Sequence, residues 1–256
     1  MSTQDIGARG AEMNANAGVG SAWQDQTPWG VQAMVERAMR WVQRYGLAGS
    51  LLRAAMAMAR RITPSIYLKE THVWYRLDLA QERREITLPE GFELISAGPT
   101  DLPLLNQLPA VGLYQARRRL ASNADLWIVR EGGQAAFCCW TFRSRTPVEA
   151  ARDGWLALPP AIVCLEDSVT SPLYRGRGIA PAAWTGIARA LMQEGAVAMV
   201  TKIEERNTAS RRAVEKIGFR TVAFMRRVRV LARSHVKVRL QAGEEGSTFL
   251  VTHLAR

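Results

Sequence analysis

The sequence has few of the residues that build covalent or metal-linked structure. It contains three cysteines and three histidines, and no two cysteines are spaced as in a CxxC motif. Cys138, Cys139 and Cys164 lie in stretches that read as strands, so they are expected to be small buried apolar residues rather than a disulfide framework. We therefore predict no metal site and a reducing compartment.

Long apolar runs are also missing. No stretch of about 18 uninterrupted apolar residues occurs, which argues against a transmembrane helix. Residues 1–26 are rich in Gly, Ala, Ser and Asn and have no apolar core after a basic start, unlike a secretory signal. The chain lacks the GxGxxG spacing and an initial βαβ unit of dinucleotide-binding enzymes. These absences predict a cytoplasmic protein of another class.

Acidic side chains are outnumbered by basic ones. Thirty-four Lys and Arg face 23 Asp and Glu, a net charge of +11. Such a surface attracts cofactor phosphates, nucleic acid, anionic lipid or acidic substrates. The excess fits equally well the solvated surface of an arginine-rich protein, so charge alone does not choose among these.

The N-terminal part divides into two segments. Residues 1–27 are small, polar and without period, which predicts a disordered tail. Residues 28–68 have apolar residues every three or four positions with arginines between them, which predicts a basic amphipathic helical extension. It could pack on the rest of the chain or in a homodimer, or residues 28–62 could contact an anionic membrane peripherally. Nucleic-acid binding is the least favoured of the three.

Residues 69–256 are predicted to form one domain. From residue 91 the order is strand, two helices, three strands, helix, strand, helix and further strands, which indicates a mixed, twisted central sheet flanked by helices, of the α/β (α+β) class. The predicted strands are 72–79, 91–97, 126–130, 135–142, 161–170, 197–203 and those after 219; the predicted helices are 99–108, 112–122, 178–193 and 208–217, with a loop or short helix at 146–160.

A glycine-rich turn at residues 174–181 follows a strand and opens a helix. Glycines let backbone N–H groups approach a ligand closely, and a helix start adds unpaired donors and positive potential. That combination suits a pyrophosphate. Arg175 and Arg177 add cationic donors that match phosphate geometry.

This turn resembles the acyl-CoA-binding signature of the GNAT superfamily of N-acetyltransferases: Gln or Arg, two residues, Gly, one residue, then Gly or Ala. Arg175, Gly178 and Ala180 match the fixed positions. A second segment, from Asn207 to Phe219, is similar to the family's later asparagine, helix and Gly-Phe turn. The resemblance covers about residues 90–235 and implies the GNAT fold, acetyl-CoA as co-substrate and no metal.

The resemblance also implies the cofactor site. The family's fourth and fifth strands splay where the pantetheine arm enters, and the main chain of Val169 and Thr170 should pair with that arm. Asn207 and Arg211 should contact the arm or the adenosine phosphates, although Asn207 also fits a helix N-cap. The pyrophosphate should be held by the backbone of Arg175, Gly176, Arg177, Gly178, Ile179 and Ala180.

Direct attack of an amine on a thioester needs a base, donors for the oxyanion and an acid for the leaving thiolate. Glu166 and Asp167 are the base candidates. Because neighbours in a strand alternate, only one should face the cleft, and Glu166 is preferred. A structural salt bridge with an arginine fits either carboxylate equally. Val214 stands where many relatives have a tyrosine acid, so the acid is unassigned.

The acceptor side leaves several functions open. A primary amine of a small molecule or amino sugar is favoured over a protein N-terminus or lysine. A non-catalytic acyl-CoA sensor or scaffold, whose basic helices bind membrane or nucleic acid, is favoured by Val214. Cationic residues on the last strands could receive an acidic or phosphorylated acceptor, or protect an edge strand; they are Arg226, Arg227, Arg229, Arg233, Lys237 and Arg239.

Overall fold

The computed structural model describes residues 67–81, 85–110, 112–231 and 233–254. The predicted tail and almost all of the predicted helical extension lie outside the described residues; residues 67 and 68 belong to the first strand. Within the described ranges, no helix is long and apolar enough to cross a membrane.

The core of the fold is an eight-stranded sheet with the order β10-β9-β1-β8-β7-β4-β3-β2. Only β7 and β8 are parallel neighbours; the other adjacent strands are antiparallel. A separate two-stranded sheet joins β5 and β6. The predicted mixed sheet is therefore confirmed. The strands are β1 Tyr67–Asp78, β2 Phe92–Ala97, β3 Asp125–Glu131, β4 Gln134–Phe142, β5 Arg145–Pro147, β6 Trp155–Ala157, β7 Ile162–Thr170, β8 Ala198–Glu204, β9 Arg220–Val230 and β10 Arg233–Leu240.

Helices cover both faces of the sheet, and the buried apolar residues form two clusters. One cluster includes Ile187 and Val214 from the second and third helices, and the other includes Ala116 from the first helix. The two faces are thus packed by different helices. The α-helices are α1 Leu113–Ala121, α2 Ile179–Gln193, α3 Thr208–Lys216 and α4 Phe249–Leu254, and short 3₁₀ segments span Pro99–Gln107, Pro172–Tyr174 and Glu245–Ser247.

Two predicted elements differ from the structure. The segment predicted as a helix at 99–108 is 3₁₀, with Pro103 inside it, and proline cannot donate the hydrogen bond of a regular α-turn. The loop or short helix predicted at 146–160 is wrong, because this segment holds most of the β5–β6 hairpin. Thr146 pairs with Leu156 there, and both are buried. Three-residue strands are too short to leave a readable alternation.

The first strand occupies a central position that chain order does not suggest. β1 lies between β8 and β9, and its Val73, Trp74 and Tyr75 are fully buried. Apolar residues therefore follow one another here without alternation, as expected for a strand covered on both faces. Because β8 keeps β1 as its partner along its whole length, it is free to part from β7 on its other side.

Candidate functional site

A cleft opens where β7 and β8 diverge. The two strands pair only from Ile162–Cys164 to residues 198–200, although both continue beyond that point. The cleft has a volume of about 150 Å³, and Glu166, Asp167, Lys202 and Val214 are among its lining residues. Ligands of α/β sheets commonly bind at the carboxyl ends of parallel strands, where this cleft lies.

The glycine-rich turn lies between the end of β7 and the start of α2. Gly176 has φ +79° and Gly178 φ +76°, the left-handed region that favours glycine. A Cβ at either position would meet no atom within 4 Å, so the surface of the turn is open. Gly178 precedes α2 without a side-chain cap, which leaves the first N–H groups of the helix for a ligand. These features fit a pyrophosphate.

The arginines of the turn are tethered close to it. Arg175 Nε donates to the carbonyl oxygen of Thr170 at 3.4 Å, and the guanidinium of Arg177 lies 5.3 Å from the centre of the Tyr174 ring. Tyr174 itself packs edge-on against Phe92, which agrees with a packing role. The six residues predicted to surround a pyrophosphate, 175–180, therefore lie together in one turn at a helix start.

Val169 and Thr170 lie on an open strand edge. They pair with Cys138 and Phe137 of β4 on one side. On the other side, β7 has no described strand partner after Cys164. Since backbone groups of a strand point alternately to its two sides, this edge offers N–H and C=O groups to an extended ligand.

Asn207 and Arg211 have different surroundings. Asn207 lines the cleft and caps α3, because its side-chain oxygen accepts a hydrogen bond from Ser210 N at 3.1 Å. Arg211 Nε donates to the hydroxyl of the buried Tyr75 at 2.8 Å, and its Nη1 donates to the Glu205 carbonyl at 3.2 Å. The guanidinium of Arg211 is thus held against β1 rather than in the cleft.

A β-bulge in β7 brings both candidate bases to the cleft. Val169 pairs with Cys138 and Glu166 with Trp140, so two residues of β7 oppose one residue of β4. The first of these two is Asp167, with φ +50°. The prediction that alternation lets only one carboxylate face the cleft is therefore wrong: the bulge breaks the alternation, and both residues line it.

Glu166 forms a buried ion pair. Its side chain is 9% exposed, and its Oε1 lies 2.5 Å from Nζ of Lys202, which is 15% exposed. Burial raises the pKa of Glu166, and the Lys202 ammonium opposes this shift in part. Burial acts to lower the pKa of Lys202, but the charge of Glu166, its hydrogen bond to Lys202 and the nearby Cys164 and Asp167 together outweigh burial, so the pKa is raised. Lys202 is consequently an ammonium group at neutral pH.

Asp167 is held by an ion pair of another kind. Its Oδ2 lies 2.6 Å from Nη2 of Arg119, a buried side chain of α1, while Asp167 itself is 46% exposed. The Arg119 guanidinium lies 5.2 Å from the Trp140 ring and 5.5 Å from that of Phe142. Arg119 Nη1 and Trp140 Nε1 are buried donors without a partner among the described residues. Buried donors left unmatched are uncommon in folded proteins.

Two site residues were missed from the sequence. Lys202 lies in the middle of a buried strand, between the apolar run 198–200 and Ile203, and a lysine at such a position was a readable signal of a buried, paired charge. Arg119 left no comparable signal, since it stands in a row of three arginines. The part of the chain with described coordinates contains no cluster of His, Cys, Asp and Glu able to hold a metal ion.

Part of the chain is similar to known acetyltransferases. The model of the acetyltransferase (GNAT) family matches residues 103–219. No curated protein matches the chain. A GNAT-family protein from Novosphingobium aromaticivorans is similar in structure at 18% identity and TM-score 0.46, over 63% of each chain.

Two further solved structures are similar. The GCN5-related N-acetyltransferase from Sphaerobacter thermophilus has 14% identity and TM-score 0.45, over 73% of this chain and 57% of its own. The ribosomal-protein-S18-alanine N-acetyltransferase from Escherichia coli has 18% identity and TM-score 0.38, over 50% of this chain and 77% of its own. The match spans less than two thirds of the length of the Novosphingobium and Sphaerobacter proteins.

Proposed function

We propose that this chain, whose residues 103–219 match the model of the acetyltransferase (GNAT) family, binds acetyl-CoA between β7 and β8. We further propose that it transfers the acetyl group to a primary amine of a small molecule or amino sugar. One observation carries the proposal: the cleft between the two parallel strands opens beside an uncapped helix start with a glycine-rich turn.

The chain's own groups provide for the donor as follows. The backbone of Arg175 to Ala180 holds the pyrophosphate, with no Cβ in the way at Gly176 or Gly178. The open edge of β7 at Val169 and Thr170 pairs with the amide-bearing arm as an added strand would. Bound acetyl-CoA supplies the thioester carbonyl that the amine attacks.

We assign proton removal from the amine to Glu166. A base works best when its pKa lies close to the working pH, and burial moves the pKa of this carboxyl upward from its usual range. Lys202 keeps Glu166 ionised and places a cationic donor in the same cleft, where it can stabilise developing negative charge. Asp167, held by Arg119, is assigned a positioning role.

Val214 cannot serve as the acid that protonates the leaving thiolate. This side chain is buried and lines the cleft, but it has no proton to donate. The proton would then come from the acceptor ammonium group or from water. Val214 is also the observation that favours the second candidate function, an acyl-CoA-binding sensor without turnover.

Calorimetry of acetyl-CoA binding tests the donor site. We expect the wild type to bind and Gly178→Glu to weaken binding at least about tenfold, because bulk and negative charge would face the pyrophosphate. Gly195→Glu is the matched control: Gly195 also has positive φ and nothing near its Cβ, but follows the other end of α2. Its backbone strain is comparable, so its affinity should stay near that of the wild type. Absence of binding by the wild type would refute the proposal.

Release of free CoA thiol in the presence of amines separates the two candidate functions. The acceptor panel contains amino sugars, small primary amines, a peptide with a free N-terminus and a lysine peptide. Turnover with an amino sugar or small amine supports the proposed function, and turnover only with the peptides replaces it by a protein acetyltransferase. Binding without turnover by any amine supports the sensor.

A further inference from the structure

The sheet continues past the end of β8 as a three-stranded ribbon of β1, β9 and β10 with one strongly basic face. β8 ends opposite His72, whereas β1 and β9 remain paired to Tyr67 and Val230. We call this surface, formed by the exposed side chains of Lys69, Arg226, His235, Lys237 and Arg239, the basic face. It contains an open groove of about 710 Å³.

The strand registers bring these charges together. Arg226 of β9 lies directly opposite Lys237 of β10, and Phe224 lies opposite Arg239. Cross-strand partners share a face and have Cβ atoms about 5 Å apart. The guanidinium of Arg239 lies 5.6 Å from the Phe224 ring. Like charges directly opposite one another repel, so the face is set up for an anion that would relieve the repulsion.

The cations of the two faces of the ribbon differ in their partners. On the opposite face, Arg227 is buried and pairs with Glu70 at 3.2 Å and Glu149 at 2.6 Å. On the basic face, Arg226 and Lys237 have neither an ion pair nor a hydrogen bond with the described residues. Among the described residues that line the groove, Glu205 is the single carboxylate. The charge of this face is therefore not compensated by the described residues, which leaves it open to an anionic ligand.

Protection of a sheet edge does not account for Arg226. Charged side chains often guard edge strands, and β10 is an edge. Arg226, however, lies on β9, which is paired with β1 on one side and β10 on the other. The chain's own preceding segment does not complement this charge either, since residues 28–66 contain six arginines and one glutamate.

The groove borders the cleft between β7 and β8. Glu205 lines the groove, while its neighbour Glu204 lines the cleft, and Glu205 N donates to the Thr71 carbonyl at 2.9 Å. The pyrophosphate turn, by contrast, follows β7, which is separated from β1 by β8. The two cationic regions thus lie on different sides of the cleft, and one cofactor pyrophosphate does not account for both.

We propose that the basic face binds a phosphate or diphosphate group of the amine acceptor, so that the acceptor is held beside the cleft. This inference rests on the proposed function, because it names the class of substrate for the same site. Arg226 and Arg239 offer planar donor pairs that match phosphate oxygens, and Lys237 adds a point charge.

The binding test uses inorganic pyrophosphate, titrated calorimetrically in the presence of saturating CoA so that the cofactor turn is already occupied. We expect the wild type to bind and the double variant Arg226→Ala/Lys237→Ala to bind at least about tenfold more weakly, with binding falling as salt rises. The double variant Arg152→Ala/Lys216→Ala removes the same two charge types from exposed positions away from the groove and should bind as the wild type does.

Each result has a separate meaning. The Arg226→Ala/Lys237→Ala variant should retain acetyl-CoA binding. Loss of acetyl-CoA binding in this variant would overturn the inference that the basic face is separate from the cofactor site. No pyrophosphate binding by the wild type, or an equal loss in the control, also overturns the inference. If acetyl-CoA fails to bind, the proposed function fails, whereas titration of pyrophosphate without CoA still measures the basic face. A duplex RNA or an anionic vesicle that binds this face much more tightly than pyrophosphate would replace the acceptor by that partner.

Turnover gives the second measurement. With an amino sugar and its phosphate monoester as acceptors, the wild type should show the higher kcat/KM for the phosphate ester. The Arg226→Ala/Lys237→Ala variant should lose that preference mainly through KM, whereas the control variant Arg152→Ala/Lys216→Ala should keep it. An equal loss for both acceptors would contradict a phosphate-binding role.

Discussion

At Glu166, burial and pairing act in opposite directions on one carboxylate. Burial disfavours its charged form, while Lys202 at 2.5 Å favours it. Two charges taken out of water need one another, and removing either alone leaves an uncompensated buried charge. Stability and proton transfer are therefore linked through this pair, and the two effects must be measured separately.

The pH dependence of turnover should report Glu166. The usual pKa of a glutamate carboxyl is about 4.3, and that of Glu166 is raised above its usual value. Because the deprotonated form is the base, kcat/KM should fall as the pH decreases through this raised pKa. Glu166→Gln should lower kcat about 10²–10⁴-fold and remove this acid limb. Asp167→Asn should keep the limb, because Asp167 is assigned only to positioning.

The measurement needs an acceptor whose amine has a pKa well above that of Glu166. The loss of rate caused by protonation of the amine is then distinct from the loss caused by protonation of Glu166. Persistence of the same acid limb in Glu166→Gln would show that another group accepts the proton. Folding of each variant is checked by its thermal transition, because Glu166→Gln leaves Lys202 without its charged partner.

The residues of the site were predictable to different degrees. The turn at 175–180 could be found from sequence because it is a local pattern of glycine, arginine and helix start. The bulge at Asp167 could not, since it depends on the register between β7 and β4, which are far from each other in the chain. Arg211 was predicted at the cofactor, but its partner Tyr75 comes from a strand more than a hundred residues earlier.

Among the elements, β1 has the largest consequence for the fold. It lies outside residues 103–219, the part matched by the family model, yet forms the middle of the sheet between β8 and β9. Its partner β8 forms one wall of the cleft. The strand was predicted at 72–79 from its partial alternation; its central place was not, because strand order is set by contacts between distant segments.

Replacement of Trp74 by alanine tests the contribution of β1. Trp74 is fully buried, so Trp74→Ala should lower the free energy of unfolding by about 3–5 kcal/mol, as large-to-small changes in cores do. Tyr67→Ala is the control on the same strand, since Tyr67 is 52% exposed and should cost less than about 1 kcal/mol. Urea unfolding measures both. Equal losses would mean that the buried centre of β1 does not dominate its contribution.

The helices show how far local pattern reaches. α1, α2 and α3 begin and end within a residue or so of the predicted bounds, because glycine, asparagine or serine stands at or close to each of their ends. The segment at 99–107 has the same type of pattern but contains Pro103, and it forms a 3₁₀ segment. Secondary structure was therefore hardest to predict for short elements and for segments that contain proline.

At the scale of the whole molecule, the sheet separates two functions. α2, which begins at the glycine-rich turn, and α3 pack on one face, whereas α1 packs on the other face and its Arg119 pairs with Asp167 of the cleft. The cleft between β7 and β8 is the opening in the sheet between these two faces. A direct transfer reaction needs such an opening, because donor and amine must meet at one carbon from different directions.

The three thiols provide a probe of the whole sheet. Cys138 and Cys139 lie on β4 and Cys164 on β7, all buried and unpaired. Burial raises the pKa of Cys138 to about 12 and those of Cys139 and Cys164 well above their usual value. Since the thiolate is the reactive form, native protein should react with none of its thiols, and unfolded protein with all three.

Labelling by a disulfide reagent should therefore require opening of the central strands, and the three thiols should react at one common rate. The ligand binds only the folded cleft, so acetyl-CoA at about a hundred times its Kd should lower the population of the open form about a hundredfold. The labelling rate should fall by the same factor when opening and closing are fast compared with labelling. Mass spectrometry of partly labelled protein gives the rate at each position. If Cys164 reacted faster than the β4 thiols, β7 would be opening on its own at the divergence from β8. If acetyl-CoA left every labelling rate unchanged, the folded protein would not bind acetyl-CoA, and calorimetry should then show no binding either.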